Sequence, residues 1–205
     1  MFVNPFGEQA AKHLSPSDVE VVVVADLFAD EYLGGAELTT EALLKSSPLK
    51  VHRIKSQNDS METLESGYNK FWIFTNYAGM DHQLIPTIIS NIKYAVVEYD
   101  YKFCRYRSIE KHLSAEMQPC NCDNEMQGKI TSAFFHGATT VFYMSDAQMK
   151  RYHDRFPFLA EDEGSNQYVL SSCFSDEFFT AIKMLRESTK DPFSTQSLLR
   201  RRFQE

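Results

Sequence analysis

Long apolar runs are missing from this chain. Nothing in it approaches the roughly 18 residues that a membrane-crossing helix needs, and the longest run near the start, Val21–Ala25, has the length of a strand. Basic charge is also short. Lys and Arg total 21 against 28 Asp and Glu, a net charge of −7, which argues against binding nucleic acid through its phosphates. Met1 to Leu14 lacks a basic stretch followed by an apolar one, so no secretory leader is read there and the expected compartment is cytoplasmic. A peripheral membrane contact stays open. Cysteines number four (Cys104, Cys120, Cys122, Cys173), too few in a chain this long for a disulfide framework, and reduced thiols are expected. The motif G-x-G-x-x-G is absent, as are G-x-x-x-x-G-K-[ST] and G-x-S-x-G; each would have pointed to a specific chemistry.

What is present suits an ordinary globular domain. An apolar share of 43% and a charged share of 24% leave disorder, collagen and coiled coil aside. A chain of 205 residues can bury roughly 70% of its unfolded surface, enough for a core without staples. Val21 to Leu27 reads VVVVADL, an unbroken β-branched run that suits a strand covered on both faces. Gly34-Gly35 follows, then a helical pattern over 37–45 with Leu38, Ala42 and Leu43 on one face. Further strands are expected at 50–56, 71–75, 93–98, 140–143 and 168–171. Helices are expected at 84–91, 128–135, 145–156 and 176–187, the last with Phe178, Phe179, Ile182 and Leu185 facing inward. This alternation predicts an α/β, Rossmann-like doubly wound domain over 19–188, with a mainly parallel sheet of about six strands and helices on both faces. Residues 1–18 read as an N-terminal extension and 189–205 as a polar tail or the start of a connection to a second domain. Tyr101 to Gln127 interrupts the alternation with a long polar stretch, the kind of loop that is usually either functional or disordered.

In such a sheet, ligands gather outside the carboxyl ends of the strands, which directs attention to 28–35, 76–81, 98–104 and 144–146. Gly34-Gly35 either brings the backbone close to a ligand at a helix start or makes a turn needing positive φ. Asn76 opens the second of these loops. Glu98-Tyr99-Asp100-Tyr101 ends a buried strand with two acids and two phenols, where one carboxylate can orient a hydroxyl or accept a proton, or Asp100 simply caps a wet rim. Lys102, Arg105 and Arg107 add cations that can attract an anion or pair with neighbouring acids. His112, Cys120, Cys122 and His136 are ligand types that zinc prefers, but their spacing matches no finger or ribbon, and no metal is assigned. For His136 the alternative is a cation at a helix C-terminus or a packed core side chain.

Four segments in order, VVVVADLFADEYLGGAELTTEALL, KFWIFTNYAGM, KYAVVEYDY and TTVFYMSDAQMKRYHDRFP, resemble the N-terminal domain of glycosyltransferases of the GT-B fold, group-1 or family-4-like. The resemblance spans about residues 19 to 180. It implies an acceptor-binding half that works opposite a C-terminal domain holding a nucleotide-sugar donor, here a co-substrate rather than a bound cofactor. No second such unit is recognised in the chain. It implies substrate-binding roles for Gly34, Gly35, Glu37 and Ser145, and it sets Tyr99-Asp100 where many relatives have His-Asp. Tyr99 departs from that pattern, because a phenol lacks an imidazole's near-neutral pKa. Catalytic roles are expected of Asp100 and Tyr99, and Asn76 and Arg105 are added as substrate contacts from their place on the rim. The partners expected are a nucleotide-sugar donor and a glycan or other acceptor; the alternative is a carbohydrate- or protein-binding module without catalysis.

Overall fold

The computed structural model describes residues 18–161 and 166–188. Six strands, β1 (Val21–Ala25), β2 (Val51–Lys55), β3 (Phe71–Phe74), β4 (Lys93–Glu98), β5 (Thr140–Tyr143) and β6 (Asn166–Val169), form one sheet in the order β2-β1-β3-β4-β5-β6. Every pairing is parallel. The fold is therefore the expected Rossmann-like, doubly wound α/β arrangement. Helices α1 (Gly35–Ser46), α2 (Met61–Ser66), α3 (Ile85–Asn91), α4 (Ile109–Glu116), α5 (Met126–His136), α6 (Asp146–Arg155), α7 (Phe158–Glu161) and α8 (Asp176–Ser188) connect or follow the strands.

The valine run does not alternate with polar residues because both faces of β1 are dry. Val22 and Val24 enter the larger hydrophobic cluster with Trp72, Phe74, Tyr94 and Val96. Val21, Val23 and Ala25 enter a smaller cluster with Phe28, packed against Leu44 of α1. Each fully buried valine contributes of order 1.5–3 kcal/mol, so β1 is the anchor of the sheet. Aromatic rings dominate the larger side: Phe134 of α5 stacks on Tyr94 at 4.7 Å between centroids, and Phe135 stacks on Tyr152 of α6 at 5.0 Å.

Three expectations are corrected. The last strand is Asn166–Val169, two residues ahead of 168–171, because it takes its register from β5, with Tyr143 opposite Val169. In α8, Phe178 is partly buried but Phe179, Ile182 and Leu185 are exposed. Phe174 and Phe178 share a pocket wall with Leu38 and Ala42 of α1, and beyond that point the helix finds no covering surface among the described residues. An apolar helical stripe records what the helix can bury, not what covers it. The stretch from Tyr101 to Gln127 is not one irregular loop: it holds α4, whose cap Ser108 accepts from the Lys111 N–H at 3.1 Å, and a 3-10 turn over Cys122–Asn124. The extension (apart from Asp18) and the polar tail lie outside the described residues.

Gly128, in the first turn of α5, has a packing reason to be glycine. A Cβ there would sit 2.3 Å from the Cys122 carbonyl oxygen and 2.5 Å from Asp123 Cα, backbone atoms that cannot swing away. Gly128→Ala is expected to cost about 1–3 kcal/mol by urea denaturation. A Cβ at Gly35 would meet nothing within 4 Å, so Gly35→Ala is the control, expected within about 0.5 kcal/mol of the parent. Equal midpoints for the two variants would defeat the packing argument.

Candidate functional site at the switch point of the sheet

The chain leaves β1 for β2 on one side and returns to β3 on the other. The loops after β1 and β3 therefore part, and in open α/β sheets this divergence is where a binding crevice forms. Asp26 stands immediately after β1. Its Oδ1 accepts from Ser56 Oγ at 2.5 Å and from the Gly79 N–H at 3.1 Å, so the loops after β1, β2 and β3 are tied at one carboxylate. Burial pushes the Asp26 pKa up. The Ser56 hydroxyl, the N–H groups of Gly79 and Ala78 and the Arg107 charge outweigh that, and the carboxyl lies below its ordinary value.

Arg107 joins this acid to the end of β4. Its Nη1 is 3.4 Å from Asp26 Oδ2, its Nη2 donates to Asn76 Oδ1 at 2.8 Å, and its Nε lies 2.6 Å from Asp100 Oδ2. The Nε contact lies off the N–H direction, making it an ion pair rather than a hydrogen bond. The backbone of Arg107 is left-handed, with φ at 55°, a conformation that costs a non-glycine residue of order 1 kcal/mol. It is held by a closed turn in which the Arg107 N–H donates to Cys104 O at 2.8 Å and the Tyr101 N–H to Arg107 O at 3.2 Å. Strain of this kind persists where the surroundings over-determine it, and here three loops converge on the side chain.

Behind Arg107 lies a buried ion pair. Glu98 is fully enclosed, and its Oε2 accepts from Lys102 Nζ at 2.8 Å. Its Oε1 accepts from the Lys102 N–H at 2.9 Å and from the Tyr152 hydroxyl at 2.6 Å. Burial raises the Glu98 pKa against the opposing pull of Lys102. Lys102 Nζ also sits 5.3 Å above the Tyr77 ring. The Tyr77 hydroxyl is buried without a hydrogen-bond partner among the described residues. A cleft of about 260 Å³ opens beside these groups, lined by Tyr77, His82, Lys102, Arg105 and Arg107 among others.

The residues singled out from the sequence distribute unevenly over this geometry. Asn76 and Asp100 meet at Arg107. Arg105 lines the cleft but is exposed, clamped to Glu125 at 2.6 Å. Tyr99 points away from Asp100 toward α1, its hydroxyl 2.8 Å from Thr40 Oγ1, and burial raises its phenol pKa. Gly34 caps α1 in extended geometry (φ −94°), and no described glycine has positive φ, so the turn reading of the pair does not hold. A Cβ on Gly34 would instead strike the Glu37 carboxylate at 2.3 Å, which places Glu37 against the start of its own helix. Ser145 acts as the N-cap of α6, accepting from the Gln148 N–H at 3.1 Å. The glycine pair, Tyr99 and Asp100 thus share one end of the sheet, with Tyr99 turned to the α1 side and Asp100 to Arg107.

Asp26, Arg107, Glu98 and Lys102 carry this site; no catalytic or substrate-binding role is expected of them from the sequence, although Lys102 and Arg107 read there as rim cations able to attract an anion or pair with acids. The acid ending β1 was legible as a strand-end carboxylate, and Arg107 as part of the basic rim. All three rim cations are paired with acids: Lys102 with Glu98, Arg105 with Glu125, and Arg107 with Asp26 and Asp100. Chemically, an acid held below its ordinary pKa is a weak proton acceptor. Asp26 is suited instead to accepting hydrogen bonds from hydroxyls, beside a guanidinium and an amide that can do the same for other polar groups. A second group of ligating side chains, Cys104, His112, Cys120 and Cys122, lies together on the segment that carries Arg107. His136 is not among them; it packs edge-on against Phe158 at 5.7 Å. No protein-family model matches the chain, and no curated protein matches it.

Proposed function

We propose that this domain is the acceptor-binding half of a GT-B-like glycosyltransferase that uses a nucleotide-sugar donor. The observation that carries the reading is the gathering of Asp26, Asn76, Asp100 and Arg107 at the switch point of an all-parallel sheet. Carboxylates, an amide and a guanidinium in one crevice make the mixed donor and acceptor set that sugar hydroxyls require. One domain supplies one wall of a cleft, whereas transfer needs both reactants held in attack geometry. The domain alone is therefore expected to bind an acceptor without turning it over.

The test is a backbone NMR titration with a panel of mono- and disaccharides, followed by a turnover assay with nucleotide sugars. At least one saccharide is expected to shift the amides of Asp26, Asn76, Asp100 and Arg107, and Arg107→Ala is expected to weaken its binding by about 10-fold or more. Robust turnover by the chain alone would overturn the half-site reading. Silence toward every saccharide would overturn the carbohydrate reading itself. One observation favours a non-catalytic binding module as the second reading: Asp26, Glu98 and Asp100 are each already in contact with a cation, leaving no unpaired base among them.

A further inference from the structure

We infer that Cys104, His112, Cys120 and Cys122 form a structural zinc site. Their ligand atoms all lie within 4.8 Å of one another, and all four residues are buried. His112 Nδ1 is 3.6 Å from Cys104 Sγ and 3.5 Å from Cys122 Sγ. With Zn–S near 2.3 Å and Zn–N near 2.0–2.1 Å, a tetrahedral centre has a sulfur-to-nitrogen edge of about 3.5–3.6 Å. His112 Nδ1 therefore already stands at the edge length of a coordination shell from two of the three sulfurs, and the remaining ligand atoms lie within 4.8 Å of one another.

Ordinary hydrogen bonding accounts for the arrangement only in part: the Cys104 thiol donates to Ser108 O at 3.5 Å. A neutral imidazole Nδ1 offers one lone pair or one proton, yet two thiols approach it at nearly the same distance, with a third sulfur alongside. No disulfide joins them, since all four cysteines of the chain are free. A shared cation satisfies every ligand atom at once. Three thiolates and an imidazole make the closed Cys3His set of structural zinc rather than a three-ligand catalytic site.

The surroundings hold the ligands in place. Cys104 lies in the Tyr101–Arg107 turn, and His112 lies in the first turns of α4, its N–H donating to Ser108 O at 3.0 Å. Cys120 precedes, and Cys122 opens, the 3-10 turn before α5. There Arg155 Nη1 donates to Cys120 O at 3.1 Å and to Asp123 Oδ1 at 2.5 Å. Gly128 lets α5 touch the Cys122 carbonyl. The spacing is C-x7-H-x7-C-x-C. Its consequence is mechanical: the Cys104 carbonyl is the group that fixes the strained Arg107 backbone, so zinc would pin the segment that delivers Arg107 and Lys102 to the crevice.

The full chain, purified without chelator, is expected to carry one zinc per molecule by elemental analysis. Co²⁺ added to the metal-free chain is expected to give the visible bands of a tetrahedral, thiolate-bound ion. Alkylation mapped by mass spectrometry is expected to find Cys104, Cys120 and Cys122 shielded by added zinc, with Cys173 modified either way. Cys104→Ser should weaken zinc binding by at least ~100-fold, the upper range for losing only an outer partner, and Cys173→Ser should leave it unchanged. If Cys104→Ser does not fold, the alkylation map of the unsubstituted chain decides. Equal alkylation with and without zinc, together with no cobalt spectrum, would overturn the site; an iron–sulfur chromophore in the purified chain would overturn zinc as its occupant.

Discussion

Lys102→Met is expected to destabilise the domain by roughly 3–5 kcal/mol at pH 7.5, the range for removing one partner of a buried ion pair. Lys102 is 4% exposed and Glu98 fully buried. The substitution would leave the Glu98 carboxylate with the Tyr152 hydroxyl and the residue-102 N–H but without the ammonium at 2.8 Å. Burial already raises the Glu98 pKa, and Lys102 lowers it, so losing Lys102 raises it further. A folded-state pKa above the unfolded value contributes stability at low pH that is lost as pH rises through the folded pKa. The deficit of Lys102→Met should therefore shrink toward pH 4 and widen toward pH 8. Adding Glu98→Gln to Lys102→Met removes the orphaned charge while keeping an acceptor for Tyr152, and should recover all but about 1–2 kcal/mol. Urea denaturation of the two single variants and the double variant across pH measures the coupling. A pH-independent loss, or no recovery in the double variant, would show that packing of the lysine stem rather than charge is at stake.

The parts of the fold that could be read in advance are the central strands, buried on both faces in β1 and in β4 after Lys93, and buried on one face and half-buried on the other in β3 and β5. VVVVA, FWIF, KYAVVE and TVFY are short apolar runs that pair only with neighbouring strands, and their patterns admit few other structures. The elements not foreseen are short and wet. α4 reads IEKHLSAE with His112 its one buried residue, and α2 reads METLES with Leu64 its one. Neither has an apolar stripe from which a period could be counted. Both are revealed by their caps, Ser108 and Ser60, each accepting from the N–H three residues on.

The candidate site was legible by edge but not by side chain. Tyr99 and Asp100 follow the end of β4 and turn apart: Asp100 faces Lys102, the partner of Glu98, and Tyr99 faces Thr40. The cluster of ligating side chains differs from the group noted in the sequence for a reason of length. α5 runs from Met126 to His136, about 15 Å at the rise of an α-helix, which carries His136 away from the cysteines just before its start. Cys104, the partner that belongs, arrives from the end of β4 across the chain, and no local spacing announces it.

Asp59 supplies a separate test of how this fold handles a buried charge. It sits between the 3-10 turn Ser56–Asn58 and the α2 cap Ser60. Its Oδ1 accepts from the Ser60 N–H at 3.0 Å, while Oδ2 is buried without a partner among the described residues. Burial pushes its pKa up to about 6, against an ordinary 3.8. Well below pH 3.8 the carboxyl is protonated whether the chain is folded or not. Between pH 4 and 6 the folded chain holds a proton that the unfolded chain gives up, so stability falls as pH rises, by at most about 3 kcal/mol once ionisation is complete. Asp26 acts in the opposite sense and in another window: its lowered pKa contributes stability above 3.8 that is lost only in stronger acid. Asp59→Asn keeps the acceptor for Ser60 and removes the charge. It is expected to be about 1–3 kcal/mol more stable than the parent at pH 7.5 and no more stable at pH 4, measured by urea denaturation at each pH. A parent and variant that differ by the same amount at both pH values would mean that Asp59 ionises as freely in the fold as in water, and that solvent reaches the oxygen which the packing encloses.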